Sequence, residues 1–261
     1  MSKKETKEVA VKEPAQVAIA TQQLVDDWGV PTAPSRDMII PKIWPMQGLS
    51  KLVVERKAMI GEFRDSVNGK LIGSIDKPFE AIPFYLQKVW DINEQQPDGS
   101  YKWARTIPLI EDPINKEYND NLTWEGEDLD KDGKKVKVKR IRRMNFFVLI
   151  PEEVESGSAM PYVFSFKSTS FKEGKKLYSQ MYVRNFKANR PPPDLLVKIG
   201  GVMQTNQKGS FVVPQVEFTR KSTEAELKEC LYWIGLVKKG SVKVDASEEQ
   251  MEMDVSDAAE F

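Results

Sequence analysis

"TWEGEDLDKDGKKVKVKRIRRMNFFVLIP", Thr123–Pro151, carries an acidic run, an Asp-Gly pair, a basic run and an apolar run in one line. Asp132-Gly133 separates two stretches of extended character, and Asp-Gly is a strong hairpin signal because both residues tolerate the positive φ of a tight turn. A two-residue turn there sets Asp130 opposite Lys135, Asp128 opposite Lys137 and Glu125 opposite Arg140, so cross-strand ion pairs consume part of the basic run. The same register faces Lys139, Arg142 and Arg143 with Gly126, Thr123 and Leu122, which keeps these three charges available for phosphates. A hairpin is expected whose second strand starts basic and ends in a core.

Further runs read the same way. "KLVVERKAMIGEF", "FEAIPFYLQKVW", "YVFSF" and "FVVPQVEF" are apolar and rich in β-branched or aromatic residues, and Asn68-Gly69 and Asp98-Gly99 mark two more turns. Two helices interrupt the strands. "STSFKEGKKLYSQMYVRNF" has Ser170 and Glu173 in capping-box spacing, sets Phe171, Leu177, Tyr178, Met181 and Tyr182 on one face, and meets the stop "RPPPD". "TEAELKECLYWIGLVKKG" repeats the box with Thr223 and Glu226 and predicts a buried stripe of Leu227, Cys230, Leu231 and Ile234. The expected fold is mainly β (α+β): an antiparallel OB-like barrel with added hairpins and two packing helices, with a sandwich as the alternative. Residues 1–35 read as a flexible arm with a short helix near Ala15 to Trp28, 36–240 as the folded body, and 241–261 as a disordered acidic tail.

Composition narrows the chemistry. The chain of 261 residues has no histidine and one cysteine, Cys230. That removes imidazole-based catalysis and metal ligation and an internal disulfide framework, so neither catalysis nor a cofactor nor a metal is expected. "DLDKDG" opens like a calcium loop, but its twelfth position is Lys139 where a carboxylate is needed. "EGKK" lacks the glycine and hydroxyl of a phosphate-binding loop. No apolar run reaches membrane-spanning length and "MSKKETKEVAVKEPAQVAIA" has no apolar signal block, so a cytoplasmic protein without a membrane partner is expected.

The formal charge of zero is unevenly spread. Residues 244–261 hold seven acids and no Lys or Arg, leaving residues 1–243 with 39 basic against 32 acidic side chains, about +7. Seven of the ten residues Lys134–Arg143 are basic. A second basic segment contributes Lys167, Lys172, Lys175 and Lys176 against the single acid Glu173. Tyr101 and Trp103, flanked by Lys102 and Arg105 beside a turn, are the expected base-stacking rings, with Trp90 next. Cations that follow a phosphate backbone, interleaved with rings that stack bases, suit single-stranded nucleic acid. A solubilising role for the charges and a core role for most rings are the plainer readings of the same residues.

The acidic end "DVSDAAEF" beyond a basic body resembles the layout of single-stranded DNA-binding proteins. "IIPKIWPMQGLSKLVVERKAMIGEF" and "FVLIPEEVESGSAMPYVFSFKSTSFKEGKKL" are similar in style to phage-encoded members of that class. The resemblance implies an OB fold and sequence-tolerant coating of single-stranded DNA in phage replication or recombination. It also implies recruitment of replication, repair or transcription proteins through Asp257, Glu260 and Phe261. A virion structural or assembly protein with a basic surface facing nucleic acid, and an RNA-binding transcription accessory protein, are the alternatives.

Overall fold

The computed structural model describes residues 39–244 apart from 49, 110–121, 131, 207–208 and 239–242. The expected N-terminal arm, its short helix, and the tail from residue 245 onward, with Asp257, Glu260 and Phe261, lie outside the described residues.

Two long strands form the spine. β5 (Phe79–Gln95) runs antiparallel to β8 (Lys135–Leu149) from Ile82 opposite Leu149 to Glu94 opposite Val138. At the basic end, β6 (Tyr101–Pro108) pairs with the outer edge of β5 and β7 (Thr123–Leu129) with that of β8. This makes a four-stranded wing. At the apolar end the same edges carry β10 (Leu196–Asn206) and β9 (Tyr162–Lys167). Beyond them the body sheet continues to β11 (Gly209–Arg220) on one side, and on the other to β2 (Lys42–Pro45), β3 (Glu62–Asp65) and β4 (Leu71–Ser74). A two-residue parallel ladder joins β1 (Ile39–Ile40) of the expected body to β12 (Lys243–Val244), which lies within the stretch expected to be a disordered tail.

The apolar end of β8 does not alternate because both faces of the sheet are covered. Met144, Phe146 and Val148 join Phe63, Phe79, Phe164 and Phe166 in one core, closed by Phe171, Leu177 and Met181. Phe147 and Leu149 point the other way and pack with Ile82, Phe84 and Val163 under Cys230 and Trp233. The helices sit on opposite faces. α3 (Phe171–Tyr178) covers the first core and α5 (Glu224–Lys238) the second. The hydrogen-bonded strand order is open, with β11 and β4 at its two ends. In place of a closing ladder, the Gln47 side chain donates from Nε2 to the Val212 carbonyl and accepts the Val212 N–H at Oε1, at 3.1 and 2.7 Å.

Several local expectations are corrected. "KLVVERKAMIGEF" is not one strand: Lys51–Val54 is a single helical turn, α1, and β3 begins only at Glu62. α2 (Pro151–Glu155) is a further short helix, started by a proline that needs no N–H partner in the first turn. The helix from Phe171 changes to a π segment over Ser179–Arg184 before α4 (Asn185–Lys187). Glu173 does not cap it; its Oε2 accepts the Val216 N–H of β11 at 3.2 Å, pinning the helix to the sheet. At α5 the expected box is present, since Thr223 N–H donates to Glu226 and Glu226 N–H donates to Thr223 Oγ1. Its buried row is Glu226, Cys230 and Trp233, while Leu231 stays 60% exposed. Burying an indole removes more apolar surface from water than burying a leucine, so the helix turns its tryptophan inward.

The decisive correction concerns the basic hairpin. Asp130 N–H donates to the Lys134 carbonyl, and Gly133, at φ +76°, donates back to the Asp130 carbonyl. Three positions, not two, lie inside this closure. Asp130 Oδ1 also accepts the N–H groups of Asp132 and Lys134, so a side chain that mimics backbone selects the longer turn. The register shifts by one: Lys135, Lys137 and Lys139 face Leu129, Glu127 and Glu125.

Candidate nucleic-acid interface

Shifting the register redistributes the expected phosphate-binding residues. Lys139 faces Glu125 rather than Gly126 and forms a 3.0 Å ion pair with it, its Nζ also lying 5.7 Å from the Tyr101 ring centre. Arg143, expected to be available, is 3% exposed and paired with Asp91, which also accepts a hydrogen bond from Thr106. Arg105 is a clamp: it bonds Glu94 at 3.1 Å and Asp128 at 2.9 Å, and Arg140 reaches the same Asp128 oxygen at 3.0 Å. Lys176 folds back onto the Val216 carbonyl and Glu173. These charges hold strands together.

Rings are redistributed as well. Trp90 is fully buried and is no stacking platform. Tyr101 and Trp103 are half-buried on one face of the wing, and the Trp103 indole donates to Thr106 at 3.3 Å. Lys102, opposite Glu94, and Lys172 on α3 are exposed.

What the fold brings together is a different group. Along one face of the spine, Trp90 is opposite Arg142 and Lys88 is opposite Met144, so Lys88 and Arg142 are diagonal neighbours. α3 crosses that face and adds Lys175, Phe171 and Tyr178. The result is a groove of about 210 Å³ lined by Lys88, Arg142, Met144, Phe171, Lys175, Tyr178 and Ser179, with no acid among its described lining residues. Lys88 Nζ sits 4.1 Å from the Tyr178 ring centre, and Arg142 and Lys175 each lie 5.7 Å from that of Phe171. Tyr178 and Tyr182 form a tilted pair with centres 5.4 Å apart. Burial, then the Arg142 charge, pushes the Lys88 ammonium below its ordinary pKa, while burial raises the Tyr182 hydroxyl to about 12. Two cations held close together favour an anion between them.

Residues 9–243 match the family model described as Pam3 phage gp34-like protein. The chain belongs to that family. It is a family of phage proteins, and the match covers the wing, the groove and both cores. No curated protein matches the chain, and no solved structure matches it. Among the described residues, no helix is long and apolar enough to cross a membrane.

Of the groove, Arg142 and Lys175 were legible in the gp34-like sequence as members of basic runs, and Tyr178 as an aromatic near them. Lys88 was missed. Its signal is a lone cation inside the apolar run "FYLQKVW", where a long side chain needs a reason to be half-buried.

Proposed function

We propose that this phage protein is nonenzymatic and binds single-stranded DNA without sequence preference, through the groove formed by Lys88, Arg142 and Lys175 beside Tyr178. The observation that carries the reading is the convergence of these three cations, from two strands and a helix, on an aromatic groove without a lining acid. Cations neutralise phosphates, and Tyr178, an aromatic ring in the groove lining, is the kind of surface on which unpaired bases stack. The OB-like part of the reading rests on the predominance of antiparallel pairing in the ten-stranded sheet that carries the groove. In this reading the protein coats single strands in the host cytoplasm during replication or recombination, and its acidic tail recruits replication, repair or transcription proteins.

The test is a fluorescence titration with single-stranded DNA, duplex DNA and RNA, for wild type and for Lys88→Gln with Arg142→Gln and Lys175→Gln. Single-stranded DNA should bind most tightly. Log affinity should fall with log salt by about 0.7 per phosphate neutralised, and the triple variant should lower that slope by roughly 2. Equal affinity and slope in the variant sink the groove assignment. A second reading, a virion assembly protein, is favoured by the adjacent Leu231 and Tyr232 on α5, each 60% exposed. Recovery of the protein in purified particles rather than with replicating DNA supports it.

A further inference from the structure

α5 turns a second apolar face outward. Leu231 and Tyr232 are each 60% exposed, and Lys228 and Lys238, on the same side of the helix, are exposed with them. With roughly 3.6 residues per turn, Gly235 falls on this side too, one turn beyond the pair. Glycine is a poor choice inside a helix, and an added Cβ at Gly235 meets no atom within 4 Å among the described residues. No contact in the described body calls for a glycine there. Leu231, Tyr232 and Gly235 thus form a shallow notch with a lysine toward either end.

The chain preceding Ile39 joins the body beside this helix. Ile40 is buried in the core that α5 covers, Ile39 before it is 56% exposed, and β1 pairs with β12, which follows α5 after only residues 239–242. In the preceding sequence Val17, Ala20, Leu24 and Trp28 recur at helical spacing, and residues 13–35 hold Glu13, Asp26 and Asp27 but no Lys or Arg. That is an apolar stripe with acids to meet two lysines. Trp28 lies eleven positions before Ile39, a length of chain that spans up to about 36 Å, while the 15 residues of α5 are about 22 Å long. Any point on the outer face is within reach. The acidic residues after Val244 are the rival by charge, but the family match covers residues 9–243, taking in the stripe and stopping short of those acids.

We propose that residues 17–28 of the same chain dock on the outer face of α5, with the Trp28 ring over Gly235 and with Asp26 and Asp27 toward the flanking lysines. An indole seated in the notch takes apolar surface of Leu231 and Tyr232 out of water, and only a glycine lets the ring approach the helix backbone so closely. The inference does not depend on the groove, which lies under α3 on the opposite face of the sheet. It bears on the assembly reading, because a docked arm covers Leu231 and Tyr232 and denies them to another protein.

Amide hydrogen exchange on the full chain, at two protein concentrations, tests it. Amides of residues 17–28 should exchange about tenfold or more slowly than those of a free peptide of the same sequence, equally at both concentrations. Leu231→Ser with Tyr232→Ser should remove that protection while the amides of β5 and β8 keep theirs, since both substituted positions are exposed. Asp26→Lys with Asp27→Lys should weaken the protection, and adding Lys228→Glu with Lys238→Glu should restore it, a rescue that a general loss of helix content does not give. Deleting residues 245–261 should change nothing. The proposal is overturned by free-peptide exchange of residues 17–28 in the wild type, by protection that survives the Leu231 and Tyr232 substitutions, by failure of the charge-swapped rescue, or by protection lost with residues 245–261. Protection lost on dilution overturns it too, and assigns the face to a second copy of the chain.

Discussion

Arg142 and Arg143 are chemically alike and adjacent, yet one lines an open groove and the other is buried with Asp91. The period of two along a strand makes that division, and a sequence shows only that both are basic. Lys88 carries the clearest pH signature. Its folded pKa is lowered, first by burial and then by Arg142, so its charge is less favourable in the folded than in the unfolded chain. The penalty is fully present at neutral pH, is relieved as pH rises through the lowered folded value, and is gone above the unfolded value of about 10.4. Lys88→Met should therefore raise the urea midpoint at neutral pH, with the gain fading toward about pH 11, while single-strand affinity falls. A lower midpoint at neutral pH would mean that the contact with Tyr178 outweighs burial, and the groove would then be a structural device.

At the scale of elements, the wing depends on a close approach. The Trp124 ring lies across Gly126 of the same strand, and a Cβ built there collides with Trp124 Cη2 and Cζ2. The indole is fixed from the other strand by Arg140, 5.0 Å from its ring centre, over a small core of Trp90, Ile92 and Val138. Gly126→Ala should displace the ring and cost about 1–3 kcal/mol in urea unfolding. In a Trp124→Ala background the same change should be nearly neutral, because the clash has gone. Equal losses in both backgrounds would mean that the Trp124 ring is not what the added methyl meets.

For the whole molecule, the uneven charge matters most. A body of about +7 and seven acids after Lys243 attract each other at low ionic strength. Deleting residues 252–261 removes four acids and leaves every described element intact. If the acidic segment competes for the groove, as the proposed function implies, the shortened chain should bind single strands more tightly at low salt. The advantage should shrink as salt screens the competition. Identical affinities at low salt would leave the segment with recruitment or solubility alone.

Strand-rich character, the main hairpins, the two principal helices and the basic segments followed from the sequence by itself, because alternation, Asp-Gly pairs, capping spacing and charge runs act over a few residues. The two basic segments meet because β8 and β9 are neighbours in chain and in space, with Arg143 opposite Lys167. Tertiary structure decided the rest. One residue more in the Asp130–Lys134 turn changed the partner of every lysine in the basic hairpin, a choice made by the Asp130 side chain on its neighbours' N–H groups. Docking of α3 across β5 and β8 joined Lys88 to Lys175, 87 positions apart in the chain, and packing turned Trp233 rather than Leu231 inward. The open strand order, with β11 and β4 at its ends, is a property of how ten strands meet and of no single stretch among them.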